Sequence, residues 1–355
     1  MQKILIISRG QFGYHTDVYK WCEYLRDEYE VELITFDGRA KVAMDGVKVH
    51  YVSNAGNRIF RGIRYVLTCL WHILLFKGII FVCYFKECRI LKWCFPRKKM
   101  YLDIRTLNVN TNKKIREKED ALIKKATQLY DFVTIISEGT RDKIDIPKEK
   151  SAILPLGADV VSTSEKSYDT IRMMYVGTLF NRDIHKTVQG LNLALKKSNF
   201  LKIHYDIIGN SPGNEFEDLK QLVKEYNLEE FVTLHGYIQH SQLKDFFDNC
   251  NVGVSFVPMT EYYEFQPATK SFEYILSGLY TIATNTYCNK EIIVEENGIL
   301  INDTAEAFAN SIEKIAQNAS NLNSVKIRNT LLEYKWENLV NKYLKTVLKK
   351  NWPKN

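Results

Sequence analysis

The stretch from Pro258 to Asn285, PMTEYYEFQPATKSFEYILSGLYTIATN, gathers side chains suited to holding a phosphorylated ligand. An apolar strand pattern ends at Phe256 and a loop of acids and aromatics follows. A helical pattern then opens near Pro267–Thr269, where proline is at home because a first-turn N–H has no intrahelical partner. The free amides of Ala268, Thr269 and Lys270, with the helix dipole behind them, make an anion site suited to a diphosphate. Lys270 adds a mobile positive charge, and Glu273, about one turn further on, suits a pair of ribose hydroxyls. An ordinary α/β crossover with its lysine and acid in solvent fits the same pattern, and on these residues alone both readings stand.

Such residues need parallel strands to aim them, and the chain supplies these. Apolar residues make up 45% and charged residues 26% of its 355 positions, which excludes general disorder and low-complexity architecture. Short apolar runs alternate with helical patterns along nearly the whole length, the mark of parallel α/β units. Strands are expected at 3–8, 30–36, 47–52, 79–84, 100–105 and 132–137. After a polar stretch they resume at 171–176, 202–208, 232–236, 252–256, 281–284 and 298–301. The expected organisation is an α/β domain over 1–160, a linker at 161–170, a second α/β domain over 171–329 and a C-terminal helix over 330–355. That helix carries Leu331, Leu332, Trp336, Leu339, Tyr343 and Val347 at three- and four-residue spacings, and it is expected to pack back toward the first domain. A helix is also expected over 290–295. Ligands of open α/β sheets bind outside the strands' C-terminal ends, so the cleft between the domains is the default site.

Charge is distributed unevenly. The net +7 comes from the first half, where residues 58–99 hold ten basic side chains and one acid, Glu87. Ile59, Phe60, Leu67, Leu70, Trp71 and Leu74 are interleaved with them. A basic, aromatic helix suits an anionic membrane surface, and an ordinary helix covering a sheet fits as well. His72 and Lys77 interrupt the apolar run, which is short for a span. The seven cysteines show no C-x-x-C and no ligand spacing with histidine. They read as reduced core residues, and the N-terminal MQKILIISRG reads as a strand entering a turn, so a cytoplasmic protein is expected.

Four segments, in order, carry a resemblance: LPLGAD at 154–159, MYVGTLFNRDIHKTVQGL at 174–191, YDIIGNSPG at 205–213 with VTLHGYI at 232–238, and KSFEYILSGLYTIATN at 270–285. Together they resemble the retaining family-4 glycosyltransferases of the GT-B fold, two Rossmann-like α/β domains facing across a cleft. The resemblance implies that Gly177 and Gly209 let the backbone approach a nucleotide, that Arg182 and Lys270 meet its diphosphate alongside Ala268 and Thr269, and that Glu273 binds ribose. The turn at Gly236, Tyr237 and Ile238 would hold the base. The family's other glutamate falls eight residues before the ribose one, where this chain has Phe265. Glu264 takes that sugar-contacting role if one residue is inserted, with Glu261 behind it. Thr178 stands where many members have arginine. In the first domain, RGQFGYH at 9–15 offers Gly10 and Gly13 as a phosphate or acceptor loop. LDIRT at 102–106 offers Asp103 and Arg105, expected on opposite faces of the strand so that only one of them lines the cleft unless the chain turns there, with a salt bridge closing the domain as the alternative. The family's sugar-contacting histidine has no clear counterpart, with His15 or Asp103 in its place.

The implied reaction is retaining transfer of a sugar from a nucleotide-diphospho-sugar to a glycan acceptor. The leaving diphosphate itself assists the acceptor, and no protein nucleophile is needed. Accordingly the chain has no Ser-His-Asp, Cys-His or zinc constellation. It has no Asp-x-Asp between strand and loop, so neither metal nor cofactor is expected. The basic first domain suggests a lipid-linked acceptor and peripheral attachment at the cytoplasmic face of a membrane, as in capsule, O-antigen or exopolysaccharide assembly. Two rivals stand beside it: another GT-B chemistry such as a nucleotide-sugar epimerase, and a non-catalytic protein binding a membrane or nucleic acid through 58–99, although no nucleic-acid-binding signature is present.

Overall fold

The computed structural model describes residues 1–14, 16–38, 41–197 and 202–350. It divides into two units, Met1–Leu156 with the chain from Trp336, and Gly157–Lys335.

In the first unit the strands are β1 (Gln2–Ile7), β2 (Tyr29–Asp37), β3 (Val47–Ser53), β4 (Ile79–Cys83), β5 (Met100–Ile104), β6 (Phe132–Ile135) and β7 (Ser151–Ile153). They form one parallel sheet in the order β3-β2-β1-β4-β5-β6-β7. The helices are α1 (Thr16–Leu25), α2 (Arg58–Leu75), α3 (Cys88–Cys94), α4 (Lys113–Leu129) and α5 (Glu138–Lys143). Strand β1 is buried on both faces because helices cover both sides. On one side Tyr65, Cys69 and Ile73 of α2 pack over Ile34, Phe36 and Val52. On the other, Trp21 and Leu25 of α1 share a core with Trp336, Leu339, Val340 and Leu344 from the end of the chain.

The second unit has β8 (Ile171–Val176), β9 (Ile203–Ile208), β10 (Val232–Gly236), β11 (Val252–Ser255), β12 (Tyr280–Thr284) and β13 (Gly298–Ile301). These are again all parallel, in the order β10-β9-β8-β11-β12-β13. Its helices are α6 (His185–Lys197), α7 (Glu215–Glu225), α8 (Lys244–Asn249), α9 (Thr269–Leu276), α10 (Tyr287–Lys290), α11 (Ala305–Asn318) and α12 (Ser324–Asn329). Strand order reverses between β1 and β4 in one sheet and between β8 and β11 in the other. These two places, at the strands' C-terminal ends, are the crevices such sheets offer to ligands.

Several expectations need correction. The stretch 161–170 is not a free linker, for it is bonded into the second unit. Both Val161 and Ser162 donate backbone N–H groups to Ser277 Oγ, at 3.1 and 3.2 Å, and Lys166 Nζ donates to the carbonyl of Asp248 at 3.0 Å. The expected helix at 290–295 lies earlier, as α10, because the Thr286 side chain caps it by accepting from Asn289 N–H. The C-terminal pattern is not one helix from 330. A short 3-10 turn at Leu332–Tyr334 precedes α13 (Trp336–Leu339), a π-turn at Val340–Leu344 and α14 (Lys345–Lys350).

The basic segment is also less of a surface than its composition suggests. Lys92 is buried against Asp131 at 2.7 Å, and Lys98 closes the end of α2 by donating to the carbonyls of Leu74 and Phe76 at 3.0 and 2.9 Å. Arg58, Arg64, Lys77, Lys86, Arg97 and Lys99 stay exposed. The Asn57 side chain caps α2 at its start, accepting from Ile59 and Phe60 N–H. Among the described residues no helix is long and apolar enough to cross a membrane.

Candidate functional site

In the second unit three glycines end three neighbouring strands. Gly177, Gly209 and Gly236 follow or finish β8, β9 and β10, all at positive φ (150°, 157° and 67°). Gly177 N–H donates to Ile208 O and Gly209 N–H to Gly236 O, at 3.0 and 2.7 Å, which draws the strand ends together. A Cβ on Gly209 would stand 1.8 Å from the Gly177 carbonyl oxygen, so no side chain fits there. The result is a sheet edge stripped to backbone at the switch point beside β11, open to close approach by a ligand.

Two cations stand over this edge. Lys270, in the first turn of α9, holds its Nζ 3.9 Å from the Tyr175 ring centroid, beside the position a Gly177 side chain would take. Burial, with Arg182 adding to it, pushes the Lys270 ammonium well below its ordinary value of 10.5. Arg182 lies 4.4 Å over the ring of Tyr263 and donates to that residue's hydroxyl. It sits between Asn181 and Asp183, both at positive φ, residue types that tolerate the left-handed region. Tyr175 is itself fixed, donating to the Thr178 carbonyl at 2.6 Å. The start of α9 has no side-chain cap, and Ala268 stands at its N-cap in an extended conformation. Glycine edge, two aromatic-backed cations and an uncapped helix start together suit a diphosphate.

Glu273 also belongs to α9 and is mostly buried. Its Oε1 meets His240 Nε2 at 3.3 Å, and this contact raises the imidazole above its ordinary value of 6.5. Tyr237, expected at the base, is three-quarters exposed. Glu264 accepts the backbone N–H of Tyr287 at 2.9 Å with Oε1, so this carboxylate is oriented by the first turn of α10. Glu261 is exposed.

In the first unit the structure corrects one expected site. Asp103 is only 1% exposed, accepts from the Thr134 hydroxyl at 2.6 Å, and lies 3.9 Å from Arg105 Nε. Residues two apart on a strand share a face, so the arginine reaches back over the acid. Arg105 further donates to the carbonyls of Leu154 and Pro155 at 2.6 and 3.1 Å and to Asp17 Oδ1 at 3.2 Å, with its guanidinium 5.4 Å from the Trp21 ring. Both side chains are committed inside the unit, and Asp103 is almost wholly withdrawn from solvent. Burial raises its carboxyl to about 7, opposed by Arg105 and Thr134.

The glycine loop after β1 is a turn. Gly13 takes a φ of 85°, and the Gly10 carbonyl accepts from the Thr35 hydroxyl. His15 lies outside the described residues. Arg9, at the head of that loop, pairs with Glu87 at 2.5 Å at the switch point between β1 and β4.

The sequence reading missed Tyr175, Tyr263 and His240. The two tyrosines look like strand and loop aromatics until their rings are seen under the cations. His240 gives no signal beyond being a histidine in a polar loop.

A model of the family described as Glycosyl transferases group 1 matches residues 163–331, within the second unit. A search of curated proteins returned no match. Among solved structures, a sucrose-phosphate synthase from Thermosynechococcus elongatus is 19% identical with a TM-score of 0.76, covering 99% of each chain. Anabaena HepE, solved with UDP and glucose, is 12% identical at a TM-score of 0.76, covering 98% of this chain and 100% of its own. The lipopolysaccharide outer core galactosyltransferase WaaB is 14% identical at 0.71, covering 98% and 99%. These likenesses show the fold, which is GT-B.

Proposed function

We propose that the protein is a retaining glycosyltransferase that moves a sugar from a nucleotide-diphospho-sugar to a lipid-linked glycan acceptor. The observation that carries this reading is the glycine-stripped edge of β8 to β10 with Lys270, Arg182 and the start of α9 over it, inside the segment that matches the glycosyltransferase model. HepE, with the same fold, was solved with UDP and glucose, which supports a nucleotide at this edge. In the reading, the diphosphate lies against Gly177, Lys270, Arg182 and the amides of Ala268 to Lys270. Glu273 takes the ribose hydroxyls in competition with His240, the 236–238 turn holds the base, and Glu264 faces the sugar.

The charge that grows on the diphosphate as the sugar bond breaks is met by these fixed donors, which is where the rate enhancement would come from. They meet it without a metal. The acceptor reading draws on α2, whose outward face exposes Phe60, Ile63, Leu67, Trp71 and Leu74 beside Arg58 and Lys77. That face suits peripheral attachment to an anionic membrane at its cytoplasmic side, the setting of cell-surface polysaccharide assembly.

The test is thermal stabilisation by UDP, GDP, ADP and CDP, with and without magnesium. A ligand at a hundred times its Kd adds about 2.7 kcal/mol of stability. One diphosphate should shift the wild type regardless of magnesium and shift Arg182→Ala and Glu273→Ala far less. No shift from any of the four would leave the membrane-binding, non-catalytic reading in its place.

A further inference from the structure

The sheet of the first unit ends in an edge that the transfer chemistry does not use. Glu32 on β2 and His50 on β3 lie on the face that α2 covers, since the register pairs Glu32 with Lys48 and Ile34 with His50, and alternate residues share a face. Further along that face the contacts with α2 are apolar: the Phe36 and Tyr65 rings are 4.7 Å apart, and Cys69 and Ile73 are buried. At Glu32 the apolar layer stops. His50 Nε2 lies 2.7 Å from Glu32 Oε2, and His72, from the last turn of α2, brings its ring centroid to 4.1 Å from that of His50. One ligand atom from each of the three lies within 4.8 Å of the other two, and all three residues are half-buried.

We propose that Glu32, His50 and His72 form a binding site for a divalent first-row transition ion of the zinc type, which ties the C-terminal turn of α2 to β2 and β3. Two imidazole nitrogens and one carboxylate oxygen are a donor set that zinc accepts, with a fourth position left to water. A tetrahedral ion with bonds of about 2.0–2.1 Å holds its ligand atoms roughly 3.3 Å apart, so small side-chain rotations bring this trio to it. The ligands come from two strands and a helix, elements already fixed by the core beside them, so little ordering is needed on binding. A competing cation, Lys48, stands 3.6 Å from Glu32 Oε2 with its side chain mostly in solvent, free to swing away. Magnesium and calcium, which prefer oxygen donors, suit the site poorly. The site lies near the start of β2, away from the strands' C-terminal ends, and the inference stands independently of the transferase reading.

The experiment uses the untagged full chain, stripped with chelator and titrated calorimetrically with Zn²⁺, and with Co²⁺ followed by its visible absorption. The expected result is one equivalent of Zn²⁺, tetrahedral-type Co²⁺ bands, a melting temperature raised by Zn²⁺, and no response to Mg²⁺. His50→Ala and His72→Ala should each weaken binding by more than about 100-fold, since losing a ligand costs more than losing a partner that merely orients one. Should an alanine variant misfold, His50→Gln and His72→Gln retain volume and are read the same way. His235→Ala is the control, because His235 and Asp206, at 2.6 Å, are the nearest thing to a rival pair in the second unit. Absence of Zn²⁺ uptake by the wild type, or uptake lost in His235→Ala and kept in the double variant at 50 and 72, would overturn the proposal.

Discussion

Asp103 shows how a residue's environment, more than its type, sets what it does. A carboxyl at a strand's C-terminal end reads from sequence as a cleft residue, yet here it lies under the sheet edge with Thr134 and Arg105 around it. Its folded value of about 7 exceeds its ordinary 3.8, so the folded protein keeps a proton that the unfolded chain gives up. Stability from this group is therefore greatest at acid pH, falls as pH rises from about 4 to 7, and is level above that. Asp103→Asn can still accept from Thr134 but has no proton to lose. Relative to the wild type it should gain about 3 kcal/mol between pH 5 and 8, since the wild type loses about two pKa units' worth of stability over that range and each unit is worth about 1.4 kcal/mol. Urea unfolding of both proteins at the two pH values reads this, and a difference that does not change with pH refutes it. Nothing local to residues 102–106 signals the burial, which depends on strand order and on helix packing. Lys270 and Glu273 were legible because a helix start and a one-turn spacing are local features. Their partners Tyr175 and His240 were not, because those meetings depend on strand order.

Element by element, the strands were easy to read because both faces are covered and each is a short apolar run bounded by turn residues. Short helices such as α5 and α12, six residues each, were not anticipated, since so few residues display no period. Helix α2 is the case in which composition was right and incomplete. Its amphipathic pattern is real, but both faces are apolar: Tyr65, Cys69 and Ile73 face the sheet, while Leu67 and Trp71 are each about 60% exposed on the other side. Leu67→Glu and Trp71→Glu therefore alter no core contact and should change stability by no more than about 0.5 kcal/mol. If the outer face enters a bilayer, each loses about 1.5–3 kcal/mol of burial, a drop of tenfold or more in partitioning to phosphatidylglycerol-containing vesicles. Cosedimentation with such vesicles measures it. Equal binding by wild type and the double variant would remove α2 from the membrane reading.

Across the whole molecule the chain passes from one unit to the other twice, after Leu156 and after Lys335. The final segment is therefore part of the first unit's interior although it is last in sequence. Trp336, Leu339, Val340, Leu344, Val347 and Leu348 are buried in the core that holds Trp21 and Leu25, and Lys345 pairs with Glu28 at 2.7 Å. Each such side chain contributes about 1.5–3 kcal/mol by burial, so together they match or exceed the 5–15 kcal/mol that keeps a whole domain folded. A fragment of residues 1–156 should accordingly remain unfolded, with no cooperative melt and rapid proteolysis. Joining residues 336–350 to its end through a flexible linker should restore a cooperative transition. The 157–335 fragment, with its own six-stranded sheet, should melt cooperatively by itself. Calorimetry of the three fragments decides the matter. A cooperative transition in 1–156 alone would mean that the C-terminal segment only covers a core already sufficient without it.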